Sequence, residues 1–228
     1  DSLFHMRPRD IGDVGLLVID EAFWQAGLRG LDGKTQLTLD GLAPDVAHLT
    51  CHDSRGRIDW EASNDLSVLR GRLWRVLDSG ILGPIPRALL EAAGLSAGDC
   101  RTAATLERRR QRDPGLLPGM DATTRRRKIE KVLPPFGAPW APPGRAATLW
   151  LILADVLENG HDAASAVIAH ETTDKGTIRV VRLRWRSTIR AGWVRDVPVL
   201  HLDATLRDAL VKPYLPSIAI EPPVAARL

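Results

Sequence analysis

The sequence predicts a mixed α/β chain in which a partial parallel sheet is interrupted by a mainly helical insertion. Three observations predict it. GLLVIDEAFWQ carries a run of apolar residues, 16 to 19, straight into Asp20 and Glu21. Such a run suits a strand covered on both faces, as in a parallel sheet, although periodicity alone leaves a short helix open. VPVLHLDATLRDAL repeats the style, with residues 197 to 202 running into Asp203, Ala204 and Thr205. Between the two, several stretches have the spacing of amphipathic helices.

In order along the chain, AGLRGLDGKTQL is rich in Gly and polar residues and reads as a loop. Residues 64 to 79 place Leu66, Leu69, Leu73, Trp74 and Leu77 on one helical face, with Asn64 or Asp65 suited to cap it. GPIP breaks the chain, and PRALLEAAGL supports a short helix ending at Gly94. A partly helical basic stretch follows around AATLERRRQR. LPPFGAPWAPPG, with five prolines in twelve residues, reads as a connector or an extended surface segment. RAATLWLILADVLENG is a clear helix ending near Gly160, and DAASAVIAH is read as a shorter one. From Lys175 onward Val181, Leu183 and Trp185 alternate with Arg182, Arg184 and Arg186, the period of a half-buried strand with a cationic outer face and Trp185 turned to the core. Residues 206 to 211 form a helix stopped by Pro213, and SIAI is a last short strand. The expected organisation is 1–60 as the first part of the sheet core, 61–170 as a helical, basic, Pro-rich insertion and 171–228 as the second part.

Composition narrows the class. The 228 residues can bury a sizeable core, and no stretch approaches the ~18 uninterrupted apolar residues of a membrane span. No membrane partner and a cytosolic origin are the expectation, because DSLFHMRPRD lacks the layout of a signal peptide. Asp1 in place of Met points to a piece of a longer protein. Cys51 and Cys100 are too few for a disulfide framework and lack metal-site spacing. The net charge is only +3, but residues 101–131 hold ten Lys or Arg against four acids, a local patch suited to phosphate backbones or simply a solvated surface.

Other candidate sites have ordinary readings. GKT at Gly33, Lys34 and Thr35 imitates the end of a phosphate-binding loop, but Leu28 stands where G-x-x-x-x-G-K-[ST] needs its first Gly, and no apolar strand precedes it. His48, Cys51, His52 and Asp53 are spaced as a polar turn rather than as zinc ligands. His170 and Glu171 lack a helical H-E-x-x-H arrangement and fit a capping or surface role. His201 falls within the second strand and reads as a satisfied core or interface histidine. The arginines at 182, 184 and 186 fit either nucleic-acid phosphates or a solvated sheet face.

VIDEA at residues 18–22 resembles motif II, the Walker B box, of DEAD/DEAH-like superfamily-two helicases and related P-loop ATPases. DAT at 203–205 resembles their motif III, usually Ser-Ala-Thr, and DSLF suits the segment upstream of motif II. The likeness covers about 30 residues at the start and 40 near the end. It implies a RecA-like motor core in which Asp20 holds Mg²⁺, Glu21 orients the water that attacks ATP, and Asp203 and Thr205 couple nucleotide state to nucleic acid, DNA in the first instance. Asp203 departs from the family's serine. Because the P-loop is missing, residues 1–228 alone are expected neither to bind ATP well nor to hydrolyse it, and the remaining motor segments of the parent protein become partners. Two rival classes stand beside this one: a non-catalytic module binding DNA or protein, and a Mg²⁺-dependent nuclease needing further carboxylates near Asp20.

Overall fold

The structure, a computed structural model, describes residues 15–20, 24–31, 35–44, 49–111, 114–132, 140–159, 163–174, 176–187, 189, 197–202 and 207–219. The chain is mixed α/β and divides into two compact units, residues 1–31 with 185–228 and residues 32–184.

The first unit contains β1 (Leu17–Asp20), the single-turn helix α1 (Trp24–Gly27) and β2 (Leu28–Arg29). The second contains β3 (Gln36–Thr38), β4 (Cys51–His52), β5 (Ile58–Asp59), α2 (Trp60–Leu77), β6 (Gly83–Ile85), α3 (Arg87–Ala92), α4 (Ala97–Arg109), α5 (Ala122–Val132), α6 (Pro143–Asn159), β7 (Ala163–Thr173) and β8 (Gly176–Leu183). The chain then returns to the first unit with β9 (Trp185–Arg186), β10 (Val199–Leu202) and α7 (Asp208–Val211).

In the first unit β1 and β10 pair in parallel, Leu17 opposite Val199 through Asp20 opposite Leu202. Parallel neighbours need a long crossover, and here everything between them serves as one. The pair is not covered on both faces, as the apolar run had implied. Ile19 is buried, whereas Val18 is 52% and its register partner Leu200 46% exposed, with Leu16 and Leu202 also open. The run is apolar on both sides, so its residue types could not reveal which side is covered. β2 pairs antiparallel with β9 inside the stretch read as a loop, and Ser187 N–H donates to the Gly27 carbonyl at 2.7 Å. A two-residue ladder leaves no alternation to read. The expected strand at SIAI is absent over its described residues; Ser217 lies in a turn, and Ile220 is outside them.

The second unit is a four-stranded antiparallel sheet, in order β3-β8-β7-β6, packed against helices. α2 buries Leu66, Leu69, Leu73 and Leu77, the face expected from their spacing. Its cap lies earlier than Asn64: the Asp59 carboxylate accepts from Ala62 N–H at 3.0 Å, so a first turn with exposed Trp60 precedes the apolar stripe. α4 opens with a capping box between Ser96 and Asp99. α6 buries a wide face, with Ala146, Ala147, Leu149, Trp150 and Leu153 inaccessible, and leaves Arg145, Leu151, Asp155 and Glu158 exposed along the other side. Gly94 closes the α3 turn at φ 74°, as the sequence indicated.

One expected helix is a strand. DAASAVIAH lies in β7, paired with β8 on one side and β6 on the other. Its alanines favour helix, but a central position with Val167 and Ile168 in the ladder overrides local preference. The hairpin closes at Gly176, whose φ of 118° suits glycine, and Thr173 Oγ1 donates to its carbonyl at 2.8 Å.

A fully buried ionic network ties the helices to the loops. Arg70 on α2 donates to Glu107 on α4 through Nε (2.7 Å) and Nη2 (3.1 Å), and through Nη1 to the Gly41 carbonyl (2.9 Å). Arg110 donates to the second Glu107 oxygen and to the Ala141 carbonyl, and Trp150 Nε1 donates to Glu107 at 3.3 Å. Gly41 is pressed against the Trp140–Ala141 backbone, where a Cβ would stand 2.8 Å from the Trp140 carbonyl carbon and 2.9 Å from Ala141 N. Gly41→Ala is therefore expected to cost about 1–3 kcal/mol, read as a lowered urea midpoint by tryptophan fluorescence.

Candidate functional site

Asp20 ends β1, and Leu202, its register partner, ends β10. Both strands run the same way, so their carboxyl ends lie side by side, the edge at which open α/β sheets hold ligands. In the chain Glu21 follows Asp20, and Asp203 to Thr205 follow Leu202. Glu21, Asp203 and Thr205, with DSLF and the Gly33–Lys34 pair, lie outside the described residues. His201 sits opposite Ile19 and is half-buried.

The three arginines do not form one stripe on one strand. Arg182 is in β8 and half-buried, Arg184 follows β8 and is exposed, and Arg186 is in β9 of the other unit. Arg186 is exposed and its guanidinium carbon lies 5.4 Å from the Tyr214 ring centroid, a cation–π contact. Trp185, expected in the core, is half-buried opposite Arg29.

Cys51 is fully buried, its Sγ donating to the Leu106 carbonyl at 3.4 Å, and burial raises its pKa. Burial pushes Cys100 up to about 12. Neither is a reactive thiolate. His52 sits beside Cys51 on a hairpin, and Asp53 closes its turn by accepting from the Arg55 and Arg57 N–H groups, each at 2.8 Å. These backbone donors, that of Arg57 first, hold the Asp53 carboxyl below the usual range. His48 is outside the described residues. Among the described residues no three His, Cys, Asp or Glu side chains converge as a metal cage. His170 and Glu171 are neighbours on β7, so they point to opposite faces. No helix among the described residues is long and apolar enough to cross a membrane.

A cavity of about 750 Å³ escaped sequence reasoning. It lies between the β4–β5 hairpin and the C-terminal ends of α4 and α5, with Ile58 and Val132 as apolar walls and His52, Arg109 and Gln111 as polar ones. Arg109 fixes one side: its Nε donates to the His52 carbonyl at 3.1 Å, its guanidinium pairs with Asp59, and its own carbonyl accepts from His52 Nδ1 at 3.3 Å. The Ala62 N–H, and next Arg109, lower the Asp59 pKa. HDSRGR and the basic run were visible in the sequence, but not that a 57-residue separation in the chain closes to a hydrogen bond. No protein-family model, no curated protein and no solved structure matches this chain.

Proposed function

We propose that the unit carrying β1 and β10 is part of the core of a nucleic-acid-dependent, Mg²⁺-ATP-hydrolysing motor of the helicase or primase-helicase kind. The observation that supports this most is the in-register parallel pairing of the two strands that carry the motif II-like and motif III-like segments at their ends. The half-open apolar face of that pair agrees with it, since parallel strands are ordinarily covered on both sides and a strand–helix unit with G-x-x-x-x-G-K-[ST] would supply the cover. An aspartate at a strand end also suits the metal in kind. Mg²⁺ keeps most of its water and takes one or two protein carboxylates with substrate phosphates, so it needs no all-protein cage.

In this reading Asp20 contributes the metal-side oxygen, Mg²⁺ when bound neutralises phosphate charge, and Glu21 accepts a hydrogen bond from the attacking water and aligns it. Asp203 and Thr205 link the neighbouring strand end to that pair, and Arg186, exposed on the same unit, is a cation offered to DNA. In the parent protein, Glu21→Gln is expected to slow Mg²⁺-dependent ATP hydrolysis at least ~100-fold while ATP binding persists. Hydrolysis at the parental rate removes the motor reading. The second reading, a non-catalytic binding module, is favoured by one observation: α5 in the other unit is strongly cationic and buries none of its residues.

A further inference from the structure

α5 is an uneconomical helix on its own terms. Its eleven residues, ATTRRRKIEKV, hold five cations and one acid, and none is buried. Short helices are marginal in water unless a packed face holds them, and like charges four apart weaken them further. Asp121 caps it by accepting from Thr124 N–H at 2.9 Å, and Lys128 is tied back to the Gly115 carbonyl at 2.7 Å. Arg126 is neutralised by Glu130. Arg127 and Lys131, one turn apart and exposed, meet no acid among the described residues, and neither does Arg108, exposed at the end of α4. Lys131 precedes Val132, which lines the cavity, and Arg108 precedes Arg109, which lines it from the other side. Unneutralised cations thus flank a concavity with two apolar walls, an imidazole, an amide and one carboxylate, that of Asp53, which is paired with Arg57.

We propose that this cleft binds single-stranded nucleic acid, one base entering between Ile58 and Val132 while the flanking phosphates lie on Arg127, Lys131 and Arg108. A cavity of about 750 Å³ admits a nucleoside. Charge without the cavity would suit any polyanion; the cavity beside it selects a strand whose bases are unpaired. The inference rests on the motor reading for the class of partner and goes beyond it by placing the strand on the inserted unit.

The test is fluorescence anisotropy of a labelled oligothymidylate with residues 1–228, without nucleotide. Arg127→Gln with Lys131→Gln should weaken binding roughly tenfold per cation at about 50 mM salt and flatten the log–log salt dependence by ~0.7 for each lost phosphate contact. Gln111→Ala should weaken it about fivefold with the slope unchanged, and Arg87→Gln, on α3 and already paired with Glu91, should change nothing. Unaltered affinity in the double variant overturns the proposal. So does equal affinity for a duplex, which no base-sized cavity could read, or displacement by polyglutamate at equal charge, which would mark an acidic protein as the partner. Asp20→Asn should leave this binding intact, so loss of the ATPase reading and loss of this one show up in different measurements.

Discussion

Replacing Glu107 by Ala is expected to destabilise the inserted unit by about 3–5 kcal/mol, enough to lower its melting temperature by roughly 6–20 °C. The carboxylate is fully buried between two buried guanidiniums, and its removal leaves both cations in the interior with no counter-charge. The cost comes from the orphaned partners. Replacing Arg70 and Arg110 by Met and Glu107 by Leu together should therefore recover part of the loss, because apolar groups of similar volume need no pairing, while the Gly41 and Ala141 carbonyls and the Trp150 N–H lose their partners. Acid should act like the single substitution. Burial disfavours the charged carboxyl, but attraction and hydrogen bonds from Arg70, and then Arg110, outweigh it and hold Glu107 below the usual carboxylate range. A group whose folded pKa is depressed stabilises above its unfolded pKa and loses that contribution as pH falls through the folded value. Circular dichroism melts between neutral and acid pH should show that loss, and Glu107→Gln should remove its pH dependence. A melt unchanged in Glu107→Ala would mean that water reaches the network.

Trp150→Ala is the second large effect, at about 3–5 kcal/mol. The indole is completely inaccessible at the centre of α6, and its N–H reaches Glu107. Truncation removes the largest fully buried side chain among the described residues and one donor of the ionic network. Because Trp150 and Glu107 share a hydrogen bond, the double variant should lose less than the two single losses combined, a coupling that a double-mutant cycle reads in denaturant. Strict additivity would show that the bond contributes nothing and that the indole acts through volume alone.

Where sequence and structure agree, a long period was available. α2, α4 and α6 repeat their apolar positions over three or more turns, and β8 is rich in β-branched residues, although its buried neighbours Val180 and Val181 break the alternation. β10 was legible because it is short, apolar and punctuated at its end. What was missed lacks such repetition or depends on distant partners. β2 and β9 are two residues long, and β7 is a strand because two neighbours make it one. Among candidate site residues, the likeness of 18–22 and 203–205 to motifs II and III drew attention to two strand ends, and these pair in register up to Asp20 and Leu202. The three arginines looked like one stripe because alternation continues through Arg184, where β8 ends. The cavity beside Arg109 could not be read, since its walls come from three separated segments.

The way the 32–184 unit is threaded has an evolutionary corollary. Its first strand, β3, lies next to its last, β8, and Leu183 N–H donates to the Thr35 carbonyl at 3.0 Å. To the sequence on either side, more than a hundred residues thus present two attachment points about one strand spacing apart, the footprint of a tight hairpin. Closure entropy grows only with the logarithm of loop length and is already met by that ladder. A module so mounted can be gained, lost or exchanged during descent at small cost to its host, which lets the two parts of this chain diverge at independent rates.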